Sequence, residues 1–201
     1  IDFNLFYTGE TWFASASIYR NQIDNYVYLR DESEEEHEEE NHEDDHGGLL
    51  LAEYMQDDAT FNGYEIEIGR RFDFAGGKLE MRLYRDQVKA DFSGGGNVPR
   101  ITPSRSVFAM DYSRGVSSAM LEVQDVDRQN LISSFETPTS SYRMVNARLS
   151  HSIDLENGAL LTISAFGRNL TNEIARSHTS FVKNEVPLAG RNIGIKASLS
   201  F

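Results

Sequence analysis

The chain has 201 residues, no cysteine and a formal net charge of -13, enough length for one ordinary domain and no means of making disulfides or thiolate metal sites. Eleven of its 32 acids fall within residues 31–46, and the other 21 face 19 Lys and Arg, so the acidity is local and the remainder nearly neutral. That balance argues against a nucleic-acid partner, and no run of eighteen apolar residues offers a membrane-spanning helix, although a membrane β-barrel would show none either.

Taken in chain order, the dominant period is two. The pattern predicts about nine strands, at roughly 1–8, 12–29, 60–74, 78–91, 104–113, 116–127, 141–154, 159–169 and 191–201. Within 60–74, Tyr64, Ile66 and Ile68 alternate with Glu65 and Glu67. Within 141–154, Val145, Ala147, Leu149 and Ile153 alternate with Asn146, Arg148, Ser150 and Ser152. Leu161, Ile163 and Ala165 alternate with Thr162 and Ser164, and the last segment sets Ile193, Ile195, Ala197, Leu199 and Phe201 against Gly194, Lys196, Ser198 and Ser200.

The connections carry as much information as the strands. Gly9-Glu10-Thr11, Ala75-Gly76-Gly77, Ser113-Arg114-Gly115 and Leu155-Glu156-Asn157-Gly158 read as tight turns. Long connections at about 30–59, 92–103, 128–140 and 170–190 fall between them, so short and long alternate. An all-β, transmembrane, antiparallel up-and-down β-barrel has that organisation, with the tight turns periplasmic and the long loops outside the cell. Trp12, Tyr19, Tyr26, Tyr28, Phe72, Phe74, Tyr112 and Tyr142 lie near strand ends, as two aromatic girdles would. The competing expectation is a soluble barrel or sandwich with its apolar face inward. Nine strands do not close a bacterial barrel, which takes an even number, and hydrocarbon tolerates no open edge. The chain starts at Ile1 in mid-pattern, so the expectation is the C-terminal part of something longer.

The final segment contains Asn169-Leu170-Thr171-Asn172, then Pro187-Leu188-Ala189-Gly190-Arg191, and ends on Phe201. This resembles the C-terminus of a TonB-dependent outer-membrane receptor, whose terminal aromatic is read by the barrel-assembly machinery. Pro99-Arg100-Ile101-Thr102-Pro103 and Phe135-Glu136-Thr137-Pro138-Thr139-Ser140-Ser141-Tyr142 resemble the same family. Ala175-Arg176-Ser177-His178-Thr179-Ser180-Phe181-Val182-Lys183 is most similar to the branch that imports zinc and related metals. The resemblance implies a barrel of about 22 strands, of which residues 1–201 would supply the last nine or so. It also implies a plug domain, a signal peptide and a TonB box coupling import to the TonB complex, all outside these residues.

The run EEEHEEENHEDDH, residues 34–46, would lie in the first long loop. One reading is a solvated insertion, because like charges repel and bury nothing. A second is metal capture. His37, His42 and His46 suit zinc, copper or nickel, and Glu38, Glu43 and Asp45 add oxygens and negative potential. The surplus of carboxylates leaves calcium or magnesium open. A third is repulsion of anionic ligands, or bridging through divalent ions to lipopolysaccharide. His178 is a further candidate ligand, in the last long loop. His151 falls on the apolar parity and reads as an interfacial residue. Glu65, Glu67, Arg82, Arg148, Arg168 and Lys196 share the polar parity and would line a lumen.

Nothing reads as catalytic. Gly94-Gly95-Gly96 neither follows a strand nor opens a helix, and Asp111, Ser113 and His151 have no nucleophile elbow. The reading is therefore part of an outer-membrane receptor importing a metal ion, with zinc foremost. Its expected partners are the metal ion or a metal chelate, the TonB complex, and outer-membrane lipid and lipopolysaccharide. The alternatives are a receptor for a ferric siderophore or other chelate, and a surface β-protein that binds divalent cations without transport.

Overall fold

The computed structural model describes residues 1–31, 52–156 and 158–201. It contains nine strands: β1 (Asp2–Thr8), β2 (Trp12–Asp31), β3 (Ala52–Phe74), β4 (Gly77–Phe92), β5 (Arg105–Arg114), β6 (Ser117–Val126), β7 (Tyr142–Asp154), β8 (Leu160–Arg168) and β9 (Asn192–Ser200). They form one antiparallel sheet in sequence order, each strand paired with the next. No helix is long and apolar enough to cross a membrane among the described residues.

The turns follow from their residues. Phe74 pairs with Gly77, leaving Ala75 and Gly76 as a two-residue loop with φ of 47° and 77°. Positive φ at both positions is the type I′ geometry that matches strand twist. Arg114 pairs with Ser117 across Gly115, whose φ is 54°. These tight connections all fall at one end of the sheet, and the long ones at the other.

Cross-strand register merges the separate alternations into two continuous faces. One row runs Tyr7, Ala14, Ile68, Leu83, Phe108, Val123, Val145. Another runs Met81, Met110, Leu121, Ala147, Gly167, Ile193. This apolar face is uncovered: Ile193 is 72% exposed and Ile195 79%. The largest fully buried side chains are His178, Val98 and Asn169, two of them polar. A sheet folded around a greasy interior would show the reverse, and an uncovered apolar face of this extent needs a nonaqueous neighbour.

Glycine shapes the opposite, polar face. Gly63, Gly69 and Gly194 stand directly across from Tyr19, Phe13 and Phe166. Each ring lies over its glycine, where a Cβ would come within 2.3 Å of Tyr19, 2.1 Å of Phe13 or 2.6 Å of Phe166. The rings cover backbone that glycine leaves bare.

Two expectations need correction. The first long connection is shorter than 30–59, because β3 begins at Ala52 and pairs with β2 as far as Asp31. Gln56 and Asp57 break the alternation, yet they pair with Val27 and Tyr26, because a ribbon standing in water needs no apolar face. Asp24 and Asn25 bulge out of β2 opposite Asp58. Asn25 has φ 55°, and its N–H donates to Asp58 Oδ1 at 2.8 Å. The aromatic girdles also need revision. Trp12, Phe72, Phe74 and Tyr112 do cluster on the apolar face near the tight turns, with Arg70 stacked on Trp12 and Phe72. Tyr19, Tyr26, Tyr28 and Tyr142 belong to the polar face. Tyr26 and Tyr28 sit past the bulge and pack with Phe61 and Phe92.

Two substitutions test this arrangement in membrane-embedded protein. Leu149→Arg on the apolar face should lower stability by about 2–4 kcal/mol in urea titrations from lipid vesicles, with Ser150→Ala close to neutral. Gly63→Ala should cost on the order of 1–3 kcal/mol, because its methyl meets both the Tyr19 ring and the Gln87 carbonyl.

Candidate functional site at the inner face and the long loops

The polar face is a wall of cross-strand pairs. Arg105 holds Asp86 with two bonds, of 3.0 and 3.3 Å. Arg71 Nε donates to Glu80 at 2.6 Å, and Asn146 Nδ2 to Glu122 at 2.9 Å. Ser150 meets Ser164, and Ser152 meets Thr162, each at 2.9 Å. Beside Glu122 and Asn146, the face forms an open hollow of about 1010 Å³ that also takes in Arg148, Arg168 and Lys196. Glu65, Glu67 and Arg82 share this face through their register. The six charged residues predicted to line a lumen are thus all on one side. The partly exposed ion pairs of this face, Arg105–Asp86 and Arg71–Glu80, add little stability; the effect of its charges is to keep this side wet.

The long connections are built differently. Residues 93–104, 127–141 and 169–191 fold against one another, and their shared interior is polar. Glu136, Thr139, His178 and Lys183 are all buried. Glu136 Oε1 accepts the Arg100 N–H at 3.0 Å and Lys183 Nζ at 3.1 Å, while Oε2 accepts the Ser133 N–H at 3.2 Å. His178 Nε2 lies 3.0 Å from the same Oε1, and its Nδ1 lies 3.0 Å from Thr139 Oγ1. Nδ1 is thus hydrogen-bonded to Thr139, while Nε2 is buried close to Glu136 Oε1 without the alignment of a hydrogen bond. Around this centre Gln129 Nε2 donates to the Ile101 carbonyl and Asn97 Nδ2 to that of Ile132.

Burial by itself pushes the Glu136 carboxyl up. The bonds from His178, Ser133 and Lys183, together with the Lys183 charge, outweigh it and hold the group down at about 2. A buried carboxylate with that many donors stays ionised through the neutral range.

Asn169 organises the last connection. Its side-chain nitrogen donates to the Glu173 and Ala189 carbonyls, and its oxygen accepts the Glu173 N–H at 2.8 Å. Asn172 Oδ1 accepts the Arg191 N–H at 3.1 Å. Both asparagines have positive φ, 48° and 55°, a conformation asparagine tolerates better than most residues.

His37, Glu38, His42, Glu43, Asp45 and His46 lie outside the described residues. His178 is buried inside the loop cluster, with Nδ1 on Thr139 and Nε2 facing Glu136. His151 is on the apolar face, with Nδ1 2.8 Å from Ser117 Oγ. Among the described residues, no group of three His, Asp or Glu side chains is arranged to hold a metal. Sequence reasoning missed Glu136, Lys183 and Arg100 as a cluster. The signal was present: each lies in one of the three segments that carried the family resemblance, at 99–103, 135–142 and 175–183.

A family model described as TonB dependent receptor-like, beta-barrel, matches residues 1–170. Among solved structures the fold is similar to one named Copper transporter OprC, with a TM-score of 0.76 and 22% identity. That likeness covers 100% of this chain and 30% of the other, so the chain spans less than a third of that protein's length.

The Glu136 ionisation has a pH signature. Its carboxyl is depressed in the folded state from 4.5 to about 2, so its contribution is complete above pH 4.5 and lost as pH falls through 2. The depression corresponds to about 3 kcal/mol. Pepsin cleavage of residues 127–141 should accelerate across that window in the native protein. Glu136→Gln should be cleaved readily throughout it and lack the step.

Proposed function

The chain belongs to the TonB-dependent receptor β-barrel family, barrel proteins of the bacterial outer membrane that are not enzymes, and from that membership we propose that it is part of a receptor importing a metal ion. The proposed cargo is zinc or another divalent ion. The proposed energy source is the TonB complex, engaged through parts of the receptor beyond residues 1–201. The apolar face is then the lipid-facing side, and the polar hollow with Arg148, Arg168 and Lys196 is the lumen wall. The long connections stand outside the cell.

The observation that carries the metal reading is the 31–49 segment, with three histidines among carboxylates. Its negative potential concentrates cations, and its imidazoles favour zinc or copper over calcium. Weak, rapid exchange suits capture, because a captured ion has to leave again. The solved structure of similar fold is a copper transporter by name, which fits metal cargo without selecting the metal. Lipopolysaccharide is the proposed neighbour of the outer end, where carboxylates and phosphates would share divalent ions.

The test uses the complete receptor in cells. Deleting residues 33–46 should lower zinc accumulation several-fold under zinc limitation, with normal growth in replete medium. Changing His37, His42 and His46 to Ala should reproduce most of that loss. Unchanged accumulation in both variants would end the capture role, and loss of copper rather than zinc accumulation would reassign the cargo.

A further inference from the structure

We infer that the three long connections and the base of the β2–β3 hairpin move as one body, and that Glu136 and Arg100 are the residues that couple them. A loop cluster held by apolar contact could slide, since such contacts have no direction. Val98 and Ile101 pack the connection 93–104 against Ala59 and Ala90, but the three connections are joined to one another by directed bonds to a single buried carboxylate. Through Glu136, the connection 127–141 grips 93–104 at the Arg100 N–H and 169–191 at Lys183, with His178 Nε2 3.0 Å away.

Arg100 extends the grip to a fourth segment. Its Nη1 donates to the Leu29 carbonyl near the end of β2 at 2.9 Å. Its guanidinium carbon lies 3.6 Å from the centroid of the Phe181 ring, in the last connection. One side chain therefore reaches the hairpin base and 169–191, while its own backbone binds 127–141.

The backbone gives an independent sign. Arg100 has φ 58° and Phe135, next to Glu136, has φ 64°. Neither residue favours the left-handed region, and such conformations persist only where the surroundings over-determine them. Both strained positions flank the Glu136 carboxylate. A ligand that touches any one connection must then displace all of them, or none. This inference stands on the bond geometry and is independent of which cargo the receptor carries.

Hydrogen exchange on the intact receptor in lipid nanodiscs at pH 7 tests it. In the native protein, amides of 93–104, 127–141 and 169–191 should share one opening equilibrium. Glu136→Gln should raise exchange at least about tenfold in all three together, the scale of losing one charged hydrogen bond, with β6 and β7 unchanged. Arg100→Ala should raise exchange at 28–31, while the three connections, still joined at Glu136, keep their shared protection. Increases confined to 127–141 in Glu136→Gln, or no change at 28–31 in Arg100→Ala, would overturn the coupling. If Glu136→Gln does not assemble, Lys183→Met serves, since it keeps both backbone donors to the carboxylate. Lys183→Met should loosen all three connections together, and loosening of 169–191 alone would refute the inference. Unequal opening of the connections in the native protein would refute it without any variant.

Discussion

Backbone hydrogen bonding in hydrocarbon is the constraint from which this structure follows. An amide in lipid has no water to fall back on, so each strand has to find its partners along its full length. A meander of neighbouring antiparallel strands meets that demand with the shortest connections. It also forces the alternation of ends, with tight turns on one side and long loops on the other. β1 and β9 are each paired on one side only, and an open edge is untenable in a bilayer. The sheet is therefore a sector of a closed barrel, consistent with a chain spanning 30% of a structurally similar transporter.

Once the ladder is in place, a period of two divides the side chains between two solvents. The apolar parity faces lipid without needing a packed partner layer. The polar parity faces a wet interior, where charges such as Arg105 and Asp86 pair across strands. Tyr19, Phe13 and Phe166 lie flat over glycines on that interior face. They show that aromatic residues near strand ends serve two purposes here. Trp12, Phe72, Phe74 and Tyr112 meet the apolar side, while the others fill space within.

The long connections obey neither rule. Val98 and Ile101 seat the connection 93–104 on a small apolar cluster with Ala59 and Ala90, but where 93–104, 127–141 and 169–191 meet one another they are organised by buried polar groups with directed bonds. Glu136 is their centre because it offers acceptor oxygens where backbone N–H groups, a lysine and an imidazole converge. Such an interior is costly when one partner is missing and rigid when all are present. His178 illustrates the consequence. A histidine in a long loop reads from sequence as a candidate ligand, and here it is fully buried, with Nδ1 bonded to Thr139 and Nε2 beside Glu136.

How much could be read without coordinates varied by region. Strand number, order and handed turns such as Ala75-Gly76 were legible, because strict alternation and turn residues are local properties. The acidic-histidine segment was legible as composition. The Glu136, Lys183 and Arg100 cluster was not, since residues 36 to 83 positions apart meet only when the sheet brings its loop ends together. The extension of β3 back to Ala52 was missed because pairing in water leaves no periodic mark. By itself the sequence determined that each strand has one apolar and one polar face, since that needs only the two-residue repeat. Only the tertiary structure decided which way each face points, because the direction depends on how nine registers align into one curved sheet.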